Sequence, residues 1–143
     1  MGLDAVVYKR LEGFAESERD SIRLVDRSTG ELEYVDHKLA SSDQREMLFA
    51  ASVRLGNVSQ IAELRTSIQM SLSPENSIIL DKILCDGSHS GDSIKLGDLP
   101  AIETEIAFLQ QQRQISPEVS YFLSQLTQLI EAANRESNSI IFV

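Results

Sequence analysis

The sequence predicts an α+β domain: a small antiparallel or mixed sheet of about four strands, with about five helices packed on one face. Three observations lead to this prediction. The chain opens and closes with runs rich in β-branched residues, at residues 3–8 and 139–143. Two further short runs of this kind flank a glycine-containing turn. After residue 40 the apolar residues recur at the spacing of about 3.6 that is typical of helices.

Length and composition indicate one domain that spans residues 1–143. A chain of 143 residues is close to the commonest domain size, and 42% hydrophobic and 24% charged residues are ordinary for a globular protein. The single cysteine excludes an internal disulfide and a cysteine-rich zinc site. The sequence has neither a long apolar run nor a secretory signal, so we expect a cytoplasmic protein that does not bind membranes.

The net charge of −9 restricts the class of partner. Affinity for nucleic acid comes mainly from lysine and arginine, so an acidic chain is not expected to bind it. Residues 97–143 carry two arginines against six acids. An acidic face there predicts a basic protein partner, whereas the oligomeric state is left open.

The N-terminal third is predicted to be mainly β-structure. Residues 3–8 read as a strand and residues 12–20 as a polar loop. Residues 22–26 and 32–36 flank the turn at residues 27–31 and predict a hairpin. In its second arm, Leu32 and Tyr34 share the face that points to the core.

Two helices are predicted next. The first begins at Ser41, which forms a capping box with Gln44, and ends at Gly56. Its buried side would carry Met47, Leu48, Ala51 and Leu55. The second begins at Asn57, with Gln60 at the matching third position. Its buried stripe would carry Val58, Ile61, Leu64, Ile68 and Leu72.

The remaining elements are three helices and a final strand. Ser73 and Pro74 predict a third helix to about Ile83, although residues 78–84 fit a strand equally well. Asp98 predicts the start of a fourth helix. Its inward side would carry Leu99, Ile102, Ile106 and Leu109. Ser116 begins the longest helix, with Val119, Phe122, Leu123, Leu126, Leu129, Ile130 and Ala133 inside. The strand at residues 139–143 is expected to join the N-terminal sheet.

Residues 85–94 form the candidate site, because chemically capable side chains are concentrated there beside two glycines. The candidates are Cys85, Asp86, Ser88, His89, Ser90 and Asp92. Cysteine or serine beside histidine offers the nucleophile and base of acyl transfer, and Asp86, His89 and Asp92 are ligand types for a divalent ion. No catalytic motif, EF-hand spacing or phosphate loop accompanies them. The residues themselves therefore favour a structural turn, without a bound metal or other cofactor.

Three segments carry a resemblance to known proteins. They are Met-Gly-Leu-Asp-Ala-Val-Val-Tyr at residues 1–8, Gly-Ser-His-Ser-Gly-Asp at 87–92 and Glu-Ser-Asn-Ser-Ile-Ile-Phe-Val at 136–143. With these segments the chain resembles a group of small uncharacterised bacterial proteins. In size and charge it is also similar to immunity proteins of polymorphic toxin systems. The resemblance implies a bacterial cytoplasmic protein, and the immunity analogy implies an acidic face that covers a basic toxin surface.

The sequence therefore supports two hypotheses about function. The first is a non-catalytic module that binds a basic protein through an acidic surface, either with or without a contribution from residues 85–94. The second is a small hydrolase or metal-dependent enzyme centred on His89.

Overall fold

The computed structural model describes residues 2–36, 41–85 and 90–143, and it confirms the α+β class. The strands of this part of the chain are β1 (Gly2–Tyr8), β2 (Ile22–Asp26), β3 (Glu31–Tyr34), β4 (Phe49–Asn57), β5 (Ser93–Ile94) and β6 (Ile140–Phe142). The α-helices are α1 (Glu16–Arg19), α2 (Ser42–Glu46), α3 (Val58–Gln69), α4 (Leu99–Gln110) and α5 (Pro117–Glu136).

Four of these strands form an antiparallel sheet in the order β4-β1-β6-β5. The C-terminal strand β6 pairs with β1, as the sequence predicts. Strands β2 and β3 pair only with each other among the described strands, so the predicted hairpin forms a separate two-stranded sheet. Consequently the main sheet contains β4 and β5, neither of which was predicted as a strand.

Strand β1 separates two apolar layers because its side chains alternate between the faces of the sheet. Leu3, Ala5 and Val7 belong to a large core shared with the helices. Val6 and Tyr8 belong to a smaller core on the opposite face, where they pack with the hairpin. The helices of the large core thus cover one face of the sheet, and the hairpin covers part of the other.

Helix α5 provides much of the large core, as its spacing predicts. The Ser116 hydroxyl accepts a hydrogen bond from the Val119 amide at 3.2 Å and caps the first turn. The buried residues of the helix are Val119, Phe122, Leu123, Leu126, Leu129, Ile130, Ala132 and Ala133. Each large one stabilises the fold by roughly 1.5–3 kcal/mol through burial. The opposite side of α5 is polar, and within the described residues no helix combines the length and apolarity required to traverse a bilayer.

The prediction of a helix from Ser41 to Gly56 is wrong beyond its first turns. The capping box between Ser41 and Gln44 is present, but α2 ends at Glu46, and Phe49 begins strand β4. Apolar residues at positions 51, 53 and 55 also satisfy the two-residue period of a strand. Pairing with β1, about 50 residues away in sequence, decides between the two periods.

The next helix is confirmed, with one correction to its buried stripe. The Asn57 side chain accepts a hydrogen bond from the Gln60 amide at 2.9 Å, which completes the predicted capping box. Leu64 and Ile68 are buried. Val58 was expected to be inside but is 64% exposed.

Two other predictions need correction. Residues 12–20 are not a loop, since they contain part of a 3₁₀ turn at Leu11–Gly13 and the short helix α1. The third predicted helix is replaced by a 3₁₀ turn at Pro74–Asn76 and a π-helical turn at Ile79–Ile83. The intervening Ser77 has an extended backbone, which interrupts the helix.

Candidate functional site

The predicted site at residues 85–94 lies only partly within the described chain. Asp86, Ser88 and His89 fall outside the described residues, so their predicted roles stay predictions. Cys85 is half-buried, whereas Ser90 and Asp92 are exposed. Among residues 2–36, 41–85 and 90–143, no three histidine, cysteine, aspartate or glutamate side chains are grouped so as to hold a metal ion.

The second half of this segment is bonded to the sheet. The Gly91 amide donates to the Phe142 carbonyl at 2.7 Å, and the Phe142 amide donates to the Asp92 carbonyl at 2.9 Å. Gly91 has a φ of 93°, a conformation that favours glycine, as the predicted turn required. These bonds extend the pairing of β5 and β6 backwards, so residues 91–92 are held as an extension of the sheet.

The first half of this segment follows the π-helical turn Ile79–Ile83. The Arg65 guanidinium, which projects from α3, donates to the Leu84 carbonyl at 2.7 Å. Lys82 forms an ion pair with Asp98 at 3.0 Å. The residues just before the segment and residues 91–92 within it are therefore held by bonds to other elements, which fits a structural connection.

The predicted acidic face of residues 97–143 is partly neutralised inside the molecule. Asp98 is paired with Lys82, and the Glu136 carboxylate lies near the Arg10 and Arg135 guanidinium groups. The Glu105 carboxylate accepts bonds from residues 77–79. The exposed acids that remain there are Glu103, Glu118 and Glu131.

A second acidic surface lies at the opposite face of the sheet, in a cavity of about 600 Å³ that we call the hairpin groove. It runs between the hairpin, α1 and α2. Phe14 and Ile22, both buried, form its floor. Its apolar walls include Val35 and Met47, each 56% exposed. Its acidic residues are Glu18, Asp20 and Asp36.

The segment that builds most of this groove is strongly acidic. Residues 12–36 contain eight acids and three arginines. Arg19 donates to the carbonyls of Glu12 and Phe14, both at 2.9 Å, and Arg23 forms an ion pair with Glu33. Lys9 lies 5.6 Å from the centre of the Phe14 ring and is a further cation near the floor. The acids outnumber these cations, so the groove presents a net negative potential.

Tyr34 separates the hairpin groove from a smaller cavity of about 200 Å³, which we call the tyrosine pocket. The residues lining this pocket are Tyr8, Glu31, Leu32, Glu33, Tyr34, Arg45, Leu48 and Phe49. Burial raises the pKa of Tyr8, and the negative charges of Glu31 and Glu33 raise it further. The Tyr34 hydroxyl donates to the Gln44 carbonyl at 2.8 Å and ties the hairpin to α2.

The sequence did not reveal the groove, because its walls come from three segments that only the fold brings together. One local signal was present: apolar Val35 follows Tyr34 on the opposite face of its arm, between acids at positions 33 and 36. No protein-family model matches the chain, and neither a curated protein nor a solved structure is significantly similar to it.

Proposed function

We propose that the chain is a non-catalytic protein-binding module that holds a basic partner in the hairpin groove. One observation carries the proposal: two exposed apolar side chains, Val35 and Met47, face a groove that also presents Glu18, Asp20 and Asp36. This combination fits a partner segment that brings apolar and cationic side chains together.

The apolar part of the groove favours contact with apolar side chains of a partner protein. Exposed apolar residues that share one concave surface are typical of interaction sites, whereas scattered ones are ordinary. Methionine is flexible and polarisable, so Met47 can adapt to the shape of a partner side chain. The cavity volume lies within the range of small-ligand clefts, so we expect a few side chains of the partner to enter it.

The acidic part provides selectivity. Glu18, Asp20 and Asp36 are exposed, and their side chains form no ion pair with another described residue. A basic partner segment would provide cations that pair with these three carboxylates, whereas an acidic segment would be repelled by them. The net charge of −9 would also steer a basic partner toward the protein at low salt.

The setting of this function is proposed from the sequence. Low cysteine content and the resemblance to small bacterial proteins favour a bacterial cytoplasm. Within the immunity analogy, the partner in the groove would be a basic segment of a toxin. The enzyme hypothesis centred on His89 stays a prediction, which metal analysis of the purified protein and hydrolase screening of a His89→Ala variant would test.

Peptide binding tests the proposed groove. The probe is a short fluorescein-labelled peptide in which lysine and leucine alternate, and its anisotropy is followed during titration with the protein. We expect binding that weakens with added salt, because screening reduces attraction between exposed charges. Matched peptides with glutamate for lysine, or serine for leucine, are expected to bind at least tenfold more weakly, about 1.4 kcal/mol.

Two triple variants with equal charge change locate the site. The groove variant carries Glu18→Gln, Asp20→Asn and Asp36→Asn. The control variant carries three neutral substitutions on α4 and α5, namely Glu103→Gln, Glu118→Gln and Glu131→Gln. The groove variant is expected to lose affinity for the lysine–leucine peptide on the order of tenfold, and the control much less. Equal losses would show a general charge effect and would contradict a binding site in the groove.

A further inference from the structure

We infer that the tyrosine pocket receives a single lysine or arginine side chain of the partner, while the hairpin groove receives the neighbouring apolar side chain. The inference rests on the proposed function and adds the class of segment that is recognised. That segment is extended and presents a cation beside an apolar residue.

The lining of the tyrosine pocket matches the head and the stem of a long cationic side chain. Glu31 and Glu33 provide negative charge, and Tyr8, Tyr34 and Phe49 provide aromatic surface. A cation over an aromatic ring is attracted by the negative face of the ring, and the methylene stem packs on apolar surface. A volume of about 200 Å³ is below that of typical small-ligand clefts, which fits one side chain.

Glu31 is the acid most available to a partner. Its carboxylate forms no ion pair with another described residue, whereas the Glu33 carboxylate is paired with Arg23. Both carboxylates lie close enough to Tyr8 to raise the pKa of its hydroxyl group. A partner cation near the Tyr8 hydroxyl would therefore lie close to both carboxylates.

The two cavities share one lining residue, so partner side chains bound in them would lie next to each other. Tyr34 lines both the tyrosine pocket and the hairpin groove. A segment that crosses Tyr34 in extended form can place two nearby side chains on opposite sides of the ring. Acids line both cavities, which agrees with a basic segment over the whole path.

Arg45 also lines the tyrosine pocket and brings a positive charge of the protein itself. A partner cation has to share the pocket with this guanidinium. Like charges repel, so neutralising Arg45 is expected to strengthen the binding of a cationic segment. An apolar or neutral occupant would gain nothing from this change, which makes Arg45 a diagnostic position.

The test compares the lysine–leucine peptide with the same peptide carrying acetyl-lysine at each lysine, on four proteins. These are the wild type, Glu31→Gln, Arg45→Gln and the control Glu12→Gln, which changes an exposed acid outside both cavities. We expect Glu31→Gln to weaken binding of the lysine peptide about fivefold and to leave the acetylated peptide unchanged. Arg45→Gln is expected to strengthen lysine-peptide binding about threefold, and Glu12→Gln to have little effect.

The outcomes separate this inference from the proposed function. If the wild type binds neither peptide, the proposed function fails. If it binds the lysine peptide but Glu31→Gln behaves like Glu12→Gln, the tyrosine pocket is overturned and the groove stands. Thermal unfolding checks that each variant folds. If Glu31→Gln is unstable, the Arg45→Gln variant provides the test. Stronger binding of the lysine peptide, with unchanged binding of the acetylated peptide, supports the pocket. Equal changes for the two peptides, or no change, would contradict it.

Discussion

Asn138 occupies the space that any side chain at Gly30 would need. An ideal Cβ atom at Gly30 would lie 2.1 Å from the Asn138 Oδ1 atom, and Gly30 has a φ of 81°. The Asn138 side chain also donates to the Tyr8 carbonyl at 2.7 Å, and the Ser139 amide donates to the Thr29 carbonyl at 3.3 Å. The segment before β6 thus fixes the turn of the hairpin against the end of β1, which keeps the hairpin groove in place.

Gly30→Ala is therefore expected to destabilise the protein by about 2–4 kcal/mol, from backbone strain and steric overlap together. Urea unfolding measures the change. The matched control is Gly13→Ala, because a Cβ atom at Gly13 meets nothing within 4 Å. Combining Gly30→Ala with Asn138→Ala removes the overlap, so the two effects should be less than additive. Full additivity would contradict a direct contact.

The Glu105 carboxylate on α4 stabilises the π-helical turn at Ile79–Ile83. It accepts bonds from the Ser77 hydroxyl and from the Ile78 amide at 2.9 Å, and a longer one from the Ile79 amide at 3.4 Å. Because Glu105→Ala leaves these part-buried donors without an acceptor, we expect a loss of about 2–4 kcal/mol in unfolding free energy. Glu131→Ala, an exposed position on α5, serves as the control. Equal small losses in both variants would rule out this role.

Asp4 and Arg54 form a two-bond ion pair across β1 and β4, with both N–O distances at 2.9 Å. The hydrogen bonds from Arg54 hold the pKa of Asp4 below its ordinary value. The folded pKa is lower than the unfolded one, so the pair stabilises the fold above the unfolded pKa and loses this effect as the pH falls through the folded pKa.

Carboxyl ¹³C NMR titration of Asp4 checks this pH dependence. The titration midpoint should lie below the ordinary aspartate value in the wild type and rise in an Arg54→Gln variant. The Asp4→Asn variant should lose less stability than the wild type when the pH is lowered through the acidic range. An unchanged midpoint in Arg54→Gln would show that the pair has no effect on the carboxylate.

The Tyr34 hydroxyl connects the two sides of the hairpin groove through its bond to the Gln44 carbonyl. Removing it in Tyr34→Phe should cost only about 0.5–1.5 kcal/mol of stability, because the bond is exposed. Without this bond the wall of the groove is less ordered, so more conformational entropy is lost when a peptide binds. The affinity for the lysine–leucine peptide should therefore fall about threefold. Titrations of Tyr121→Phe, an exposed tyrosine on α5, provide the control. Identical affinities of the two variants would contradict a positioning role for the hydroxyl.

Local rules predicted several parts of this fold that depend on local bonds, whereas the predicted caps Ser73 and Asp98 make no side-chain cap hydrogen bond. The capping residues Ser41, Asn57 and Ser116 accept the amide hydrogen bonds expected of them, because each bond spans three residues. The apolar spacing of α4 and α5 likewise predicted which side would be buried. These features need no knowledge of the rest of the chain.

The parts that failed depend on partners distant in sequence. Residues 49–57 fit a helix or a strand by pattern, and only their pairing with β1 makes them a strand. The candidate site at residues 85–94 was predicted from composition and stays a prediction, because three of its six side chains lie outside the described residues. The hairpin groove was missed because Phe14, Val35 and Met47 carry no shared motif and meet only through the fold.

Methyl NMR during titration with the lysine–leucine peptide tests the central claim, that the hairpin groove is the binding surface. The account predicts that the largest saturable shift changes fall on the methyl groups of Val35 and Met47. Met70, which is exposed outside the groove, should hardly move. Saturable changes confined to other surfaces, such as α4 and α5, with Val35 and Met47 unaffected, would contradict it.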